Sequence, residues 1–221
     1  MKIAGIFAHP DDETLACGGT IALHSKKKDD VSILLMSEGP MARGERYKIN
    51  DAKKHAKNAC KVLGVNNLEI LKHPDNEMDS ISLLSIVKDI EKFINKYKPE
   101  IIYTHHSGDL NIDHELINKA VLTACRPNSQ HFVKKIYACE INSSTEWSFN
   151  TKRYFIPNYF VDISSTLSKK IKAFEQYKNE IRKFPHPRSS EGLKVLSMYR
   201  GMQSGFSSAE AFMMLRNIRK L

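Results

Sequence analysis

Short apolar runs alternate with longer stretches of helical period along most of the chain, and this alternation constrains the fold more than any other feature. The runs "KIAGIFA" (2 to 8), "VSILLMS" (31 to 37), "LEILK" (68 to 72), "EIIYTH" (100 to 105), "KIYACEI" (135 to 141) and "YFVDI" (159 to 163) read as strands, several of them apolar enough to be buried on both faces. Helical patterns fall between them at about 14–27, 50–64, 80–97 and 113–125, with Lys28 to Asp30 and Pro99 as punctuation. From about residue 165 the pattern reads as helices only: "STLSKKIKAFEQYKNEIRKF", "SSEGLKVLSMYRGMQ" and a short "SSAEAFMML". The expectation is a Rossmann-like α/β fold, with a mainly parallel sheet, helices on both faces and a helical C-terminal part. With 221 residues and neither a repeat nor a low-complexity linker, the chain reads as a single domain over 1–221.

Composition narrows the class. An apolar fraction of 41% and a charged fraction of 27% are ordinary for a soluble globular protein, and no apolar run approaches the roughly 20 residues that span a bilayer. The opening "MKIAGIFAHP" is too short for a signal-peptide core. Cys17, Cys60, Cys125 and Cys139 show neither CxxC nor secreted-scaffold spacing, which fits reduced thiols in a cytoplasm. The net charge of +9 rests on lysines scattered over "HSKKKDD", "DAKKHAKNACK" and "SKKIKAF". That scatter marks solvated helix faces or suits a phosphate-bearing small substrate; the focused patch with interleaved aromatics that nucleic acid requires is absent.

In an open parallel sheet, ligands bind at the carboxyl ends of the strands. Four polar loops should therefore open on one edge: His9 to Glu13 after the first strand, Glu38 to Arg46 after the second, His73 to Asp79 after the third and His106 to His114 after the fourth. His9 and Asp12, three residues apart, can be aimed at one ion, and His114 can supply a third ligand. Three protein ligands and an open position for water are the usual make-up of a catalytic zinc site. Asp11 then stands beside the metal, able to accept a proton from the attacking water. An HPDD by itself equally suits a loop in which Asp caps the next helix and Pro stiffens the turn. The second triplet, in "HPDN" (73 to 76), has Asn76 where the second acid would stand, so it reads as loop structure or a substrate contact.

"AHPDDE" (8 to 13) followed by "DLNIDH" (109 to 114) resembles the PIG-L/LmbE-like family of metal-dependent N-acetylglucosamine-type deacetylases. The resemblance continues through "ACGGTIALH" (16 to 24), "SEGPMARG" (37 to 44), "HPDN" and the tail "FPHPRSSEGL". It implies that His9, Asp12 and His114 bind zinc or another divalent metal, that Asp11 is the general base, and that the substrate is an N-acetylated amino sugar, its glycoside or a nucleotide sugar. In this sequence Asn111 occupies a position where many relatives carry a histidine acting as acid or oxyanion donor. An amide can donate a hydrogen bond to an oxyanion but cannot hand on a proton. The alternative is therefore a non-catalytic sugar-binding protein on the same fold.

Around this core, Asp113 is expected to orient a histidine or Asn111, or to cap the following helix. Arg43 is a candidate for the sugar or a phosphate, or an ordinary surface arginine. His106 is a candidate for reaching the substrate, or a plain strand-end histidine. Glu13 is expected to stabilise the first helix N-terminus; Arg188 to tie down its loop, with reach into the site from the helical tail or a neighbouring subunit as its other reading; and Trp147 to act as a partly buried anchor, with sugar stacking as its other reading. Leu167, Ile171, Phe174 and Ile181, with Tyr177 on the same side, form an apolar tail face suited to the core or to a homo-oligomer interface.

Overall fold

The computed structural model describes residues 1–39, 49–127, 130–149 and 152–219, with the side chains of residues 49 and 50 left aside. Its elements run β1 (Lys2–Phe7), α1 (Asp12–Lys26), β2 (Asp30–Ser37), α2 (Ile49–Leu63), β3 (Asn67–His73), α3 (Leu83–Tyr97), β4 (Ile101–His105), α4 (Ile112–Ala124) and β5 (Lys135–Cys139). They continue with β6 (Tyr159–Asp162), α5 (Leu167–Phe174), α6 (Ser190–Ser204) and β7 (Ala209–Asn217). The strands form one sheet in the order β3-β2-β1-β4-β5-β7-β6. β1 through β5 pair in parallel, whereas β7 is antiparallel to both its neighbours. This is the mainly parallel α/β layout expected from the alternation.

The period-2 geometry of the strands explains why their sequences are apolar throughout. On β1, Ile3 and Phe7 enter a core shared with α1, α2 and α5, while Ala4 and Ile6 enter the opposite core with α3 and α4. β2 divides in the same way, with Val31, Ile33 and Leu35 on one side and Leu34 and Met36 on the other. Burying an Ile, Leu or Phe side chain contributes about 1.5–3 kcal/mol, and both faces of each central strand collect it. The strand order reverses between β1 and β4, so a crevice opens at their carboxyl ends.

The tail departs from the all-helical expectation. "AEAFMML" carries good helix formers, yet Ala209–Asn217 is a strand lying between β5 and β6. Tertiary pairing overrides propensity here, because β5 would otherwise leave an open sheet edge. Phe212 anchors the strand against Tyr103, with ring centroids 5.2 Å apart. The helix expected over 165–184 stops at Phe174, and the chain then runs through turns to α6. Phe174 and Tyr177 are core residues, as the apolar face of the tail suggested, and Ala173 joins them.

α1 breaks at Cys17 (φ −149°, ψ 29°). The Gly19 and Thr20 N–H groups exposed by the break donate to the Glu210 carboxylate at 2.9 and 2.7 Å, and buried Lys170 pairs with that carboxylate at 2.6 Å. A Cβ on Gly19 would meet Ile163 at 2.8 Å, so only glycine permits this approach of α1 to the tail.

Candidate functional site

Asp11, at the end of the turn after β1, adopts φ 110° and precedes α1 as its N-cap residue. The turn folds back so that the His9 N–H donates to Asp12 Oδ2 at 2.9 Å, bringing both side chains to the crevice. α4 starts with Asn111 as its N-cap, whose Oδ1 accepts the Asp113 N–H at 2.9 Å. That start places His114 one turn in, facing Asp12. Ligand atoms of His9, Asp12 and His114 all lie within 4.8 Å of one another.

The orientation of each imidazole is set by a carboxylate behind it. His9 Nε2 donates to Asp113 Oδ2 at 2.9 Å, leaving Nδ1 turned to Asp12 at 3.3 Å. His114 Nδ1 donates to Asp109 Oδ1 at 2.9 Å, leaving Nε2 turned to Asp12 Oδ2 at 3.4 Å. Buried His114 Nε2 and Asp12 Oδ1 have no hydrogen-bond partner among the described residues. Two imidazole lone pairs and a carboxylate oxygen facing one another, with polar atoms unsatisfied, fit a divalent cation of zinc type, and the carboxylate–histidine pairs behind them are the usual support of such ligands. Asp113 thus orients His9, and Asn111 takes the cap.

The charge balance points the same way. Burial disfavours the His9 imidazolium, but hydrogen bonds to Asp113 and Asp12 outweigh it and raise the pKa to about 10. Burial is likewise outweighed at His114, where Asp12 and Asp109 raise it to about 9. Against its own burial, Asp12 is held ionised, well below the carboxylate range, chiefly by the charge of His114, whereas burial and His114 keep the His105 imidazole neutral. The cluster is therefore electronegative enough to demand positive charge, from protons or from a metal.

Beside it lies a cavity of about 310 Å³ whose wall includes Asp11, Asp75, Asn111, Trp147, Glu180 and Arg188. Burial raises the Asp11 carboxyl well above its ordinary range, while Arg188, whose Nη1 donates to Asp11 Oδ2 at 2.8 Å, pulls it back. Arg188 also pairs with Glu180 at 3.0 Å. Of the two readings of Arg188, loop tie and reach into the site from the tail, the second is the one seen: its guanidinium reaches the acid turn. Glu13 accepts the Asp11 N–H at 3.1 Å, as befits a helix N-terminus, and burial lifts its pKa to about 7.

The second HPD triplet also comes to the site. Asp75 Oδ1 is 3.5 Å from His9 Nε2, the Asn76 N–H donates to Asp113 Oδ2 at 2.7 Å, and the Asn111 amide donates to Asn76 Oδ1 at 2.7 Å. Trp147 is 40% exposed on the cavity wall and edge-on to His186, a partly covered residue at the rim. Arg43 lies outside the described residues.

His106 does not line the cavity; it is buried, with Nε2 on the Arg153 carbonyl at 2.9 Å and its ring against Phe155. Successive residues at the end of a strand point to opposite sides, and it is His105 that meets the site. Its ring stacks on His114 at 3.8 Å, and its Nε2 accepts the Ala8 N–H at 2.8 Å. Sequence reasoning missed His105 and also Asp109, although Asp109 opens the "DLNIDH" stretch itself. Asp109 accepts from His114, the Asn111 N–H and the hydroxyls of Ser144 and Thr145; these bonds hold it ionised despite burial.

The family profile described as "PIG-L: GlcNAc-PI de-N-acetylase" matches residues 5–125. A probable N-acetyl-alpha-D-glucosaminyl L-malate deacetylase 2 of Bacillus subtilis (strain 168) is 30% identical over 54% of this chain, an alignment that spans 58% of that relative's length. The diacetylchitobiose deacetylase of Thermococcus kodakarensis is 25% identical over 95% of this chain and 81% of its own. Among solved structures, GalB, the 4-carboxy-2-hydroxymuconate hydratase of Pseudomonas putida KT2440, superposes with a TM-score of 0.79 at 22% identity, covering 100% of both chains. The fold by itself does not decide the reaction.

Proposed function

The chain belongs to the PIG-L family, and from that premise we propose that it is a zinc-dependent hydrolase removing an N-acyl group, in the first instance acetyl, from an amino sugar, its glycoside or a nucleotide sugar. The observation that carries the reading is the convergence of His9, Asp12 and His114, each imidazole backed by a carboxylate, beside Asp11 on a cavity wall. Bound there, zinc supplies a Lewis acid that polarises the acyl oxygen and makes water a nucleophile at neutral pH.

The chain's own groups account for the rest. Asp11, with its pKa raised by burial, takes the proton of the attacking water, and Arg188 fixes the carboxylate while it does so. Asn111 spends one amide hydrogen on Asn76 and keeps the second for the oxyanion. Since an amide hands on no proton, Asp11 returns the proton it took to the leaving amine. Trp147 offers an aromatic face at the rim for a sugar ring. The cytoplasm is the setting of this reading, supported by four cysteines that are buried as free thiols. Among the described residues no helix is long and apolar enough to cross a membrane.

The test is acetate and free-amine formation by zinc-loaded protein against a panel of N-acetylated sugars, their glycosides and UDP-linked sugars. Turnover abolished by Asp11→Asn supports the reading. Tight binding of such a sugar with no acetate released would replace it by a binding function.

A further inference from the structure

Asp11 holds a backbone conformation, φ 110° and ψ −29°, that a residue with a Cβ avoids. Such a conformation persists only where its surroundings over-determine it. On its carbonyl side the hold is local: Thr14 and Leu15 N–H donate to Asp11 O at 3.0 and 3.1 Å, and the Thr14 hydroxyl adds a third bond at 2.7 Å. On its amide side the hold is a relay. The Asp11 N–H donates to Glu13 Oε2 at 3.1 Å, and the other oxygen of the same carboxylate accepts the hydroxyl of Tyr177.

Tyr177 belongs to the turn after α5, far outside the residues that match the family profile. Glu13 and Tyr177 are 0% and 2% exposed, so no water competes for either bond. Glu13 has three side-chain torsions, and a single bond to the Asp11 amide leaves the carboxylate able to swing; a second bond, from a ring packed in the core, removes that freedom.

We infer that Tyr177 is a positioning residue for the proton-accepting carboxylate: its hydroxyl fixes Glu13, and Glu13 fixes the left-handed peptide that turns Asp11 to the cavity. Where activity is the readout, this rests on the reading of Asp11 as the base. Displacement of a reacting group by about 1 Å costs on the order of a hundredfold in rate, so partial release of the peptide is a kinetic event.

Tyr177→Phe removes the hydroxyl and keeps the ring. In zinc-loaded protein with unchanged metal content, it lowers kcat about tenfold or more and leaves KM within about twofold. In a Glu13→Ala background the same change has no further effect on kcat, because the relay is already cut. Glu13→Gln keeps an acceptor for the Asp11 N–H but turns an N–H toward the Tyr177 hydroxyl, so it lowers kcat less than Glu13→Ala does. Amide hydrogen exchange of Asp11 by NMR needs no substrate: Tyr177→Phe speeds it at least about tenfold while the amides of β1 keep their protection. Unchanged Asp11 exchange overturns the inference whatever the activity, as does an equal loss of kcat in both backgrounds. Faster exchange in a protein that deacetylates no sugar supports the relay and counts against the proposed reaction alone.

Discussion

Asp109→Asn tests the proposed metal centre through a residue that would touch neither metal nor substrate. The carboxylate is 2% exposed and receives four donors: His114 Nδ1, the Asn111 N–H and the hydroxyls of Ser144 and Thr145. The amide preserves the shape but carries no charge, so the charge-assisted bond to His114 becomes a neutral one of roughly half the strength. His114 Nε2 is then a poorer base and its ring is less firmly oriented. Loss of such support costs 10–100-fold in metal affinity, or about 1.4–2.8 kcal/mol. The assay is competition for zinc with a chromophoric chelator at fixed pH, alongside thermal unfolding of the metal-free protein to register any folding defect. Ser144→Ala, which removes one donor and leaves the charge, should weaken zinc by less than about threefold. An Asp109→Asn protein that is folded and binds zinc as tightly as wild type would refute the argument that this carboxylate tunes His114.

Asp11→Asn should retain one equivalent of zinc while kcat falls by about 10²–10⁴-fold, the usual worth of a general base, whereas His9→Ala and His114→Ala should lose the metal; elemental analysis beside an acetate assay separates the two outcomes. The metal-free protein should lose stability as pH rises. His9 and His114 titrate at about 10 and about 9 in the fold, against about 6.5 in the unfolded chain. Their stabilisation is therefore complete below about 6.5 and vanishes as pH passes 9 to 10, a decline in Tm that zinc, by displacing both protons, should suppress. Lys170→Met strands the Glu210 carboxylate in the core and should destabilise by about 3–5 kcal/mol in denaturant unfolding; a change under about 1 kcal/mol would show that the two N–H donors from α1 suffice. Trp147→Ala should raise KM for the sugar with little change in kcat, since a rim contact binds ground and transition states alike.

Much of this molecule is written locally. The strands β1 to β6 are legible because each is a short apolar run closed by polar residues, and the crevice follows from their order and crossovers. The acid turn is legible because His9, Asp11 and Asp12 sit within four residues, so one turn of chain decides what they face. His114 is legible from its place at the head of a helix after the next central strand.

What the sequence leaves open is settled by neighbours distant along the chain. β7 has the local preference of a helix and becomes a strand because the open edge of β5 supplies hydrogen bonds that isolated propensity does not count. His105 and His106 are equivalent on paper, and only the direction of the strand end turns one toward His114 and the other toward Arg153. Arg188 and Tyr177 lie in turns that the sequence reads as helix or loop; the packing of the tail over α1 delivers one to the Asp11 carboxylate and the other, through Glu13, to its amide. Short-range spacing and period were enough to mark the residues proposed as ligands and base, and the edge of the sheet where they gather. Tertiary structure alone decided which charges and hydrogen bonds hold those groups in place, because such contacts depend on distances in space that no spacing along the chain encodes.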